Sequence, residues 1–98
     1  MNAKQLKEAF AATPLQSAIV DIPGVGPVMV RELSVGDMDH VDYGDTADAK
    51  AKNVALAIYT EDGSERVFDP DDLADIEIIK RIGSRTINQI MAALATKN

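Results

Sequence analysis

Ile19-Val20-Asp21-Ile22-Pro23-Gly24-Val25-Gly26-Pro27-Val28-Met29-Val30-Arg31-Glu32-Leu33-Ser34 places two apolar-rich runs on either side of a Pro/Gly turn and leads straight into a helix start. The runs Ile19–Ile22 and Val28–Leu33 read as the two strands of a hairpin, because Pro23-Gly24 and Gly26-Pro27 supply turn chemistry between them. Strand alternation puts Val28, Val30 and Glu32 on one face and Met29, Arg31 and Leu33 on the other. The Gly-rich connection lies between strands and has no following Lys-Ser/Thr, so it is not a phosphate loop. A two-stranded hairpin is marginal alone and needs a helix or a further strand against it. Its edges are therefore candidate docking surfaces.

On the N-terminal side, Asn2 to Ala12 is rich in helix formers, and Leu6, Ala9 and Phe10 make a short apolar stripe at i, i+3 and i+4. Thr13-Pro14 ends it, since a residue before proline avoids the helical region. On the other side, Ser34-Val35-Gly36-Asp37 has the pattern of a capping box, with Leu33 as the staple before it. It predicts a short helix towards Val41, weakened by Gly36. Tyr43-Gly44-Asp45 is a break. Asp45 or Thr46 then caps a helix over Ala47–Tyr59, whose apolar face carries Ala47, Ala51, Val54, Ala55 and Ile58. Small side chains there permit close approach of another element. Asp62-Gly63 centres a turn, and Glu65–Phe68 is a short extended stretch that seats Phe68 in the core. Asp69-Pro70-Asp71-Asp72 reads as a helix start, with Asp69 as N-cap and Pro70 in the first helical position. That helix carries Leu73, Ile76 and Ile79 or Lys80 on one side. Gly83-Ser84 interrupts it, with Ser84 as the cap of a last helix bearing the stripe Ile87, Ile90, Met91 and Leu94. Met91 is read as core.

With 98 residues the chain makes at most one domain with a small core. The division expected is a short N-terminal helix or flexible arm over 1–16 and a single helical domain with the β-hairpin over 17–98. The fold class expected is α+β: a small, mainly helical domain with an N-terminal β-hairpin packed against three to four helices. Hydrophobic content of 46% fits a folded domain, and two Phe, two Tyr and no Trp leave the core to Ile, Val, Leu, Met and Ala.

The chemistry is sparse. There is no cysteine, which excludes disulfides, thiolate metal sites and a Cys nucleophile. His40 is the only histidine. Its neighbour Asp37 makes one pair at helix spacing and no metal motif. Asp45 with Asp48, and Asp71 with Asp75, have the spacing of solvated helix faces rather than an acid/base pair held in a pocket. Ser17, Ser34, Ser64 and Ser84 lack a base and a GxSxG context. Asp62-Gly63 lacks the ligand spacing of a calcium loop. A non-enzymatic role without metal or cofactor is the expectation. The net charge of −6 argues against a nucleic-acid partner. No apolar run reaches the length of a membrane span, and Met1 to Ala12 has no signal-peptide core. After Glu77 the remaining charges are all basic, namely Lys80, Arg81, Arg85 and Lys97. This C-terminal basic end is a candidate contact for an acidic partner or another copy of the chain.

From Ser17 to Leu94 the chain resembles the small tail assembly chaperones of long-tailed, double-stranded DNA bacteriophages and their prophages. The resemblance is carried by order and spacing: the V-x-V-R-E-L strand Val28–Leu33, the cap Ser34–Asp37, the small-residue helix Ala51–Tyr59, Asp62-Gly63, Phe68 with Asp69-Pro70-Asp71-Asp72, and two closing helical segments. It implies a host-cytoplasmic helper, left out of the mature virion, that binds the tape measure protein and brings tail tube subunits to it. Self-association is a further expectation. Many such proteins are also made as a longer, frameshifted product, and Thr96-Lys97-Asn98 is compatible with an A-rich slippery site. The ending Leu94-Ala95-Thr96-Lys97-Asn98 departs from the Leu-Asn-Gly-like ending of relatives. The residues expected to meet partners are Met29, Arg31 and Leu33 on the hairpin and Lys80, Arg81 and Arg85 near the C-terminus. The competing readings are a structural tail-joining or tube-like virion protein, and an acidic adaptor or inhibitor that mimics nucleic acid.

Overall fold

The computed structural model describes residues 1–95, and the side chains up to residue 93. Thr96-Lys97-Asn98, read above for a slippery site, and the side chain of Leu94 lie outside the described residues. The chain runs α1 (Ala3–Ala12), β1 (Ser17–Ile22), β2 (Gly26–Arg31), a four-residue 3-10 helix (Asp37–His40), α2 (Ala47–Ala57), β3 (Ile58–Tyr59), α3 (Leu73–Lys80) and α4 (Ser84–Ala95). It is a small α+β domain in which a sheet opened by an N-terminal hairpin packs against helices.

The hairpin forms with Val20 opposite Val28 and Ile22 opposite Gly26. Val25 donates to the carbonyl of Ile22 at 2.9 Å, with Gly24 at φ 81° in the turn. That positive φ is why a glycine follows Pro23. Alternation then works as expected: Val20, Ile22, Val28 and Val30 face the core.

The hairpin is not two-stranded. The end of the Ala47–Tyr59 segment leaves the helix after Ala57 and pairs as β3, Ile58 opposite Val30 and Tyr59 opposite Met29. Ile58 and Tyr59 are β-branched and aromatic, and burial of Ile58 against Val30 outweighs continuation of the helix. Val67 donates to Ile58 and Arg66 bridges Tyr59, which brings Phe68 against the core.

α4 crosses β1 and β2 on the core side, and α3 lies on α2. Leu56, Ile90 and Val30 are the largest fully buried side chains. Three expectations are corrected here. The capping box at Ser34 and Asp37 forms in both directions at 3.0 Å, yet the helix it starts is only one 3-10 turn, as befits a segment containing Gly36. The cap of α3 is Asp72, which accepts from Ala74 at 2.8 Å, and not Asp69. Asp69 folds into its own turn by accepting from Asp71, and Asp75 reaches back to accept from the Asp69 amide, so Pro70 precedes the helix. Leu73 and Met91 are exposed, at 78% and 49%. With the later start, α3 turns Ile76 and Ile79 inward and Leu73 outward, while α4 meets the sheet through Ile87 and Ile90.

α1 stands apart. Asn2 and Gln5 close a complete capping box, but no residue of the helix is buried. The radius of gyration of 14.9 Å exceeds the value of about 13 Å usual for this length. No helix among the described residues is long and apolar enough to cross a membrane.

Candidate functional site

Two surfaces hold most of the residues singled out in the sequence. The first is the face of the sheet turned away from the core. β2 places Met29 and Arg31 there, and β3 adds Tyr59. The Arg31 guanidinium lies 4.1 Å from the centre of the Tyr59 ring and donates to the carbonyl of Gly63 at 3.2 Å. Met29 Sδ is 3.4 Å from the same guanidinium nitrogen. Arg66 also approaches the ring, at 5.5 Å, donates to the Tyr59 hydroxyl at 3.0 Å and pairs with Asp37 at 3.6 Å. A guanidinium over a tyrosine face is held by the ring's negative quadrupole, so both cations are partly committed within the chain.

The turn Thr60–Ser64 completes this face. Asp62 accepts from the Ser64 amide, the Ser64 hydroxyl and the Thr60 hydroxyl at 2.7–2.9 Å. These bonds, led by the Ser64 amide, hold its carboxyl down at about 2. Gly63 sits at φ 76°, and a Cβ there would lie 2.5 Å from the Arg31 guanidinium. Glycine is thus required both for the backbone and for the approach of Arg31. The Ser34 amide, foremost among its neighbours, keeps the Asp37 carboxyl below its ordinary value, with Arg66 adding to the effect.

Leu33 is not part of this face. β2 ends at Arg31, and although Glu32 still donates to Gln16 at 2.8 Å, Leu33 packs against the core cluster. Met29 and Arg31 therefore come together as the alternation predicts, whereas Leu33 is half-buried against the core instead of sharing their face. Tyr59 and Arg66 are missed by the sequence reading. Tyr59 is hidden inside what reads as a helix end, and its only signal is an aromatic beside a β-branched residue just before the Asp62-Gly63 turn.

The second surface lies where α2, α3 and α4 meet. It is an open groove of about 440 Å³ with a floor of Ala47, Ala51 and Val54 and walls of Ile79, Ile82 and Ile87. Lys80 stands at its rim and is ion-paired to Asp48 at 2.7 Å and Glu77 at 3.1 Å. These contacts, Asp48 first, raise its pKa and lower that of Asp48. Arg81 and Arg85 are exposed and have no ion pair among the described residues. The basic trio thus divides into one committed and two uncommitted cations.

A smaller pocket of about 200 Å³ opens at the hairpin turn, lined by Ile22, Pro23, Val25, Phe68, Ile82 and Ile90 among others. Among the described residues no group of three or more His, Cys, Asp or Glu side chains is placed to hold a metal ion. Comparison with protein-family models, with curated proteins and with solved structures returns no match.

Proposed function

We propose that this chain is a non-catalytic tail assembly chaperone that holds the tape measure protein in soluble form and recruits tail tube subunits to it in the host cytoplasm. The reading starts from the resemblance over Ser17–Leu94. The observation that supports it is the groove between α2, α3 and α4. A tape measure protein is long and helical with exposed apolar stripes, and such a stripe is bound by laying it in an apolar groove. The alanine floor lets a helix approach closely, and Lys50 in the groove lining is available for acidic residues beside the stripe. The net charge of −6 keeps the loaded complex soluble. The outer sheet face with Met29 and Arg31 is left for the tube subunit. A tube-like virion role would need a long continuous sheet, whereas β3 has two residues.

The test is co-expression with the tape measure protein of the same phage or prophage, followed by pull-down and light scattering. A soluble complex that is lost without this chain is expected. Absence of binding and of any effect on solubility would overturn the reading. Ala47→Glu, at an exposed position on the groove floor, should weaken capture at least tenfold without unfolding the domain. Unchanged capture by that variant would remove the groove from the proposal.

A further inference from the structure

The sheet has two sides, and the chain closes only one of them. Beyond β3, the Val67 amide donates to the Ile58 carbonyl at 3.1 Å and the Thr60 amide to the Glu65 carbonyl at 2.9 Å. β1 is the opposite edge, and no strand lies beyond it among the described residues. Ladder geometry says which groups that edge exposes. In an antiparallel pair, one residue exchanges main-chain bonds with the neighbouring strand and the next turns its amide and carbonyl away. The Glu32 amide donates to the Gln16 carbonyl at 2.8 Å, so the bonded set is Gln16, Ala18, Val20 and Ile22. Ser17, Ile19 and Asp21 therefore turn their main-chain groups outward. Gln89 bears this out, because its side chain reaches from α4 to donate to the Asp21 carbonyl at 3.2 Å. The amides and carbonyls of Ser17 and Ile19 and the amide of Asp21 are left unpaired among the described residues. Edge strands are usually blunted by lysine, proline or a bulge. β1 has none of these, and its six residues pair with β2 in unbroken register.

Unpaired main-chain groups at every second residue of a strand are matched by an extended polypeptide segment, and side chains then set its sequence. The row of β1 on the outer face of the sheet is Ser17, Ile19 and Asp21, with Ile19 51% exposed. Asp21 is exposed, is the only charged residue of β1 and makes no ion pair among the described residues. Its cross-strand neighbour is the uncharged Pro27. Arg31 stands opposite Ser17, at the far end of the strand, and is occupied by Tyr59 and Gly63. Arg85, one turn before Gln89, belongs to α4 on the core side of the sheet. The complement of this edge is thus an apolar side chain beside Ile19 and a basic one beside Asp21. A second copy is the poorer occupant, because each chain carries a net charge of −6.

We propose that the free edge of β1 takes an extended segment of a partner protein as a fourth, antiparallel strand. That segment carries an apolar residue beside Ile19 and, two positions earlier, a Lys or Arg beside Asp21. Ile19 exchanges both main-chain bonds with the apolar residue, whereas Asp21 only donates, since Gln89 holds its carbonyl. The α2–α3–α4 groove stays open, and the inference stands whether or not the tail-assembly reading holds.

Amide exchange followed by NMR on the full chain, with the capped synthetic peptide Thr-Lys-Thr-Val-Thr-Thr as probe, tests it. In the chain alone the amides of Ser17, Ile19 and Asp21 should exchange fast and those of Val20 and Ile22 slowly. Saturating peptide should slow the first three at least tenfold. Exchanging the peptide's Lys for Glu should weaken binding about threefold, and Asp21→Lys should reverse that preference. Ile19→Pro removes an outward N–H, a change that edge strands tolerate. It should keep the thermal transition of the body and lose peptide binding. No binding at millimolar peptide, equal binding of the Lys and Glu peptides, or binding that survives Ile19→Pro would each overturn the proposal. So would protection of the Ser17 and Ile19 amides that grows with chain concentration alone, since a second copy would then be the occupant.

Discussion

α1 and α4 are written in the same pattern and meet opposite fates. Both are amphipathic, both carry apolar residues at i, i+3 and i+4, and they have ten and twelve residues. α4 lies across β1 and β2 and buries Ile90 completely, whereas α1 buries nothing. The difference lies outside the helices. α4 follows α3 after a break of only a few residues and is carried onto the sheet, and Gln89 adds a bond to the Asp21 carbonyl at 3.2 Å. α1 is joined to the sheet through a proline segment pinned at Gln16 and has no facing element among the described residues. An apolar stripe fits a helix for packing, and topology decides whether its own body supplies the surface.

The largest effect expected is at the packed pole. Ile90→Ala removes a fully buried side chain between α4 and the sheet and should cost about 3 kcal/mol. For a domain of this size that lowers the melting temperature by roughly 15 °C. A shift of only a degree or two in calorimetry would mean that α4 is no better anchored than α1, and the contrast would collapse.

The outer face of the sheet lies between the poles, and two glycines grade it. Gly63→Ala places a Cβ at φ 76° against the Arg31 guanidinium and Met29, while Gly24→Ala has φ 81° and nothing within 4 Å. Both pay the left-handed penalty of about 1–2 kcal/mol. Only Gly63→Ala must also displace Arg31 from Tyr59. Chemical denaturation should therefore show Gly63→Ala to be the less stable of the two, and the gap measures what the Arg31–Tyr59 contact contributes. Equal losses would show that this face adds nothing beyond its backbone.

A smaller effect comes from Asp62. Its carboxyl is held at about 2 in the folded chain, below the ordinary 3.8. A lowered folded value means that the stabilisation is complete above 3.8 and is lost as the pH falls through about 2. The difference in melting temperature between the chain and Asp62→Asn should thus be constant near neutrality and shrink across that acid window. A difference that persists unchanged below it would show that the ionised carboxylate is not what the Thr60–Ser64 turn requires.

Much of this architecture is legible in the residues. The hairpin, its inner face of Val28 and Val30, the Ser34–Asp37 box and the Ile87–Ile90 part of the α4 stripe all follow from local rules, because turn chemistry and side-chain periodicity act over a few residues. β3 does not follow from them. Ile58-Tyr59 continues a helical run, and only the distant edge of β2 converts it to a strand. Arg31 is picked out by its strand face, but its partners Tyr59 and Gly63 are about thirty residues away and no spacing rule joins them. Leu33 fails for a related reason: alternation holds only while the strand does, and the strand stops at Arg31. The α2–α3–α4 groove depends on helix placement, so its lining residues are visible in sequence only as separate apolar positions.

The smallest effect belongs to the unpacked pole. Asn2→Ala removes the side chain that accepts from Gln5 and opens the capping box. Such a cap is worth about 1 kcal/mol to a helix, and a ten-residue helix is marginal in water without packing. α1 should therefore unravel. The far-UV signal should fall by about the share of that one helix, while the melting temperature of the body should move by less than about 0.5 kcal/mol of stability would produce. The two readouts separate because nothing in α1 is buried, so its folding is a local equilibrium that the sheet and α4 do not share. If the melting temperature instead fell with the helix signal, α1 would be coupled to the body, and the free stripe would be part of its own core after all.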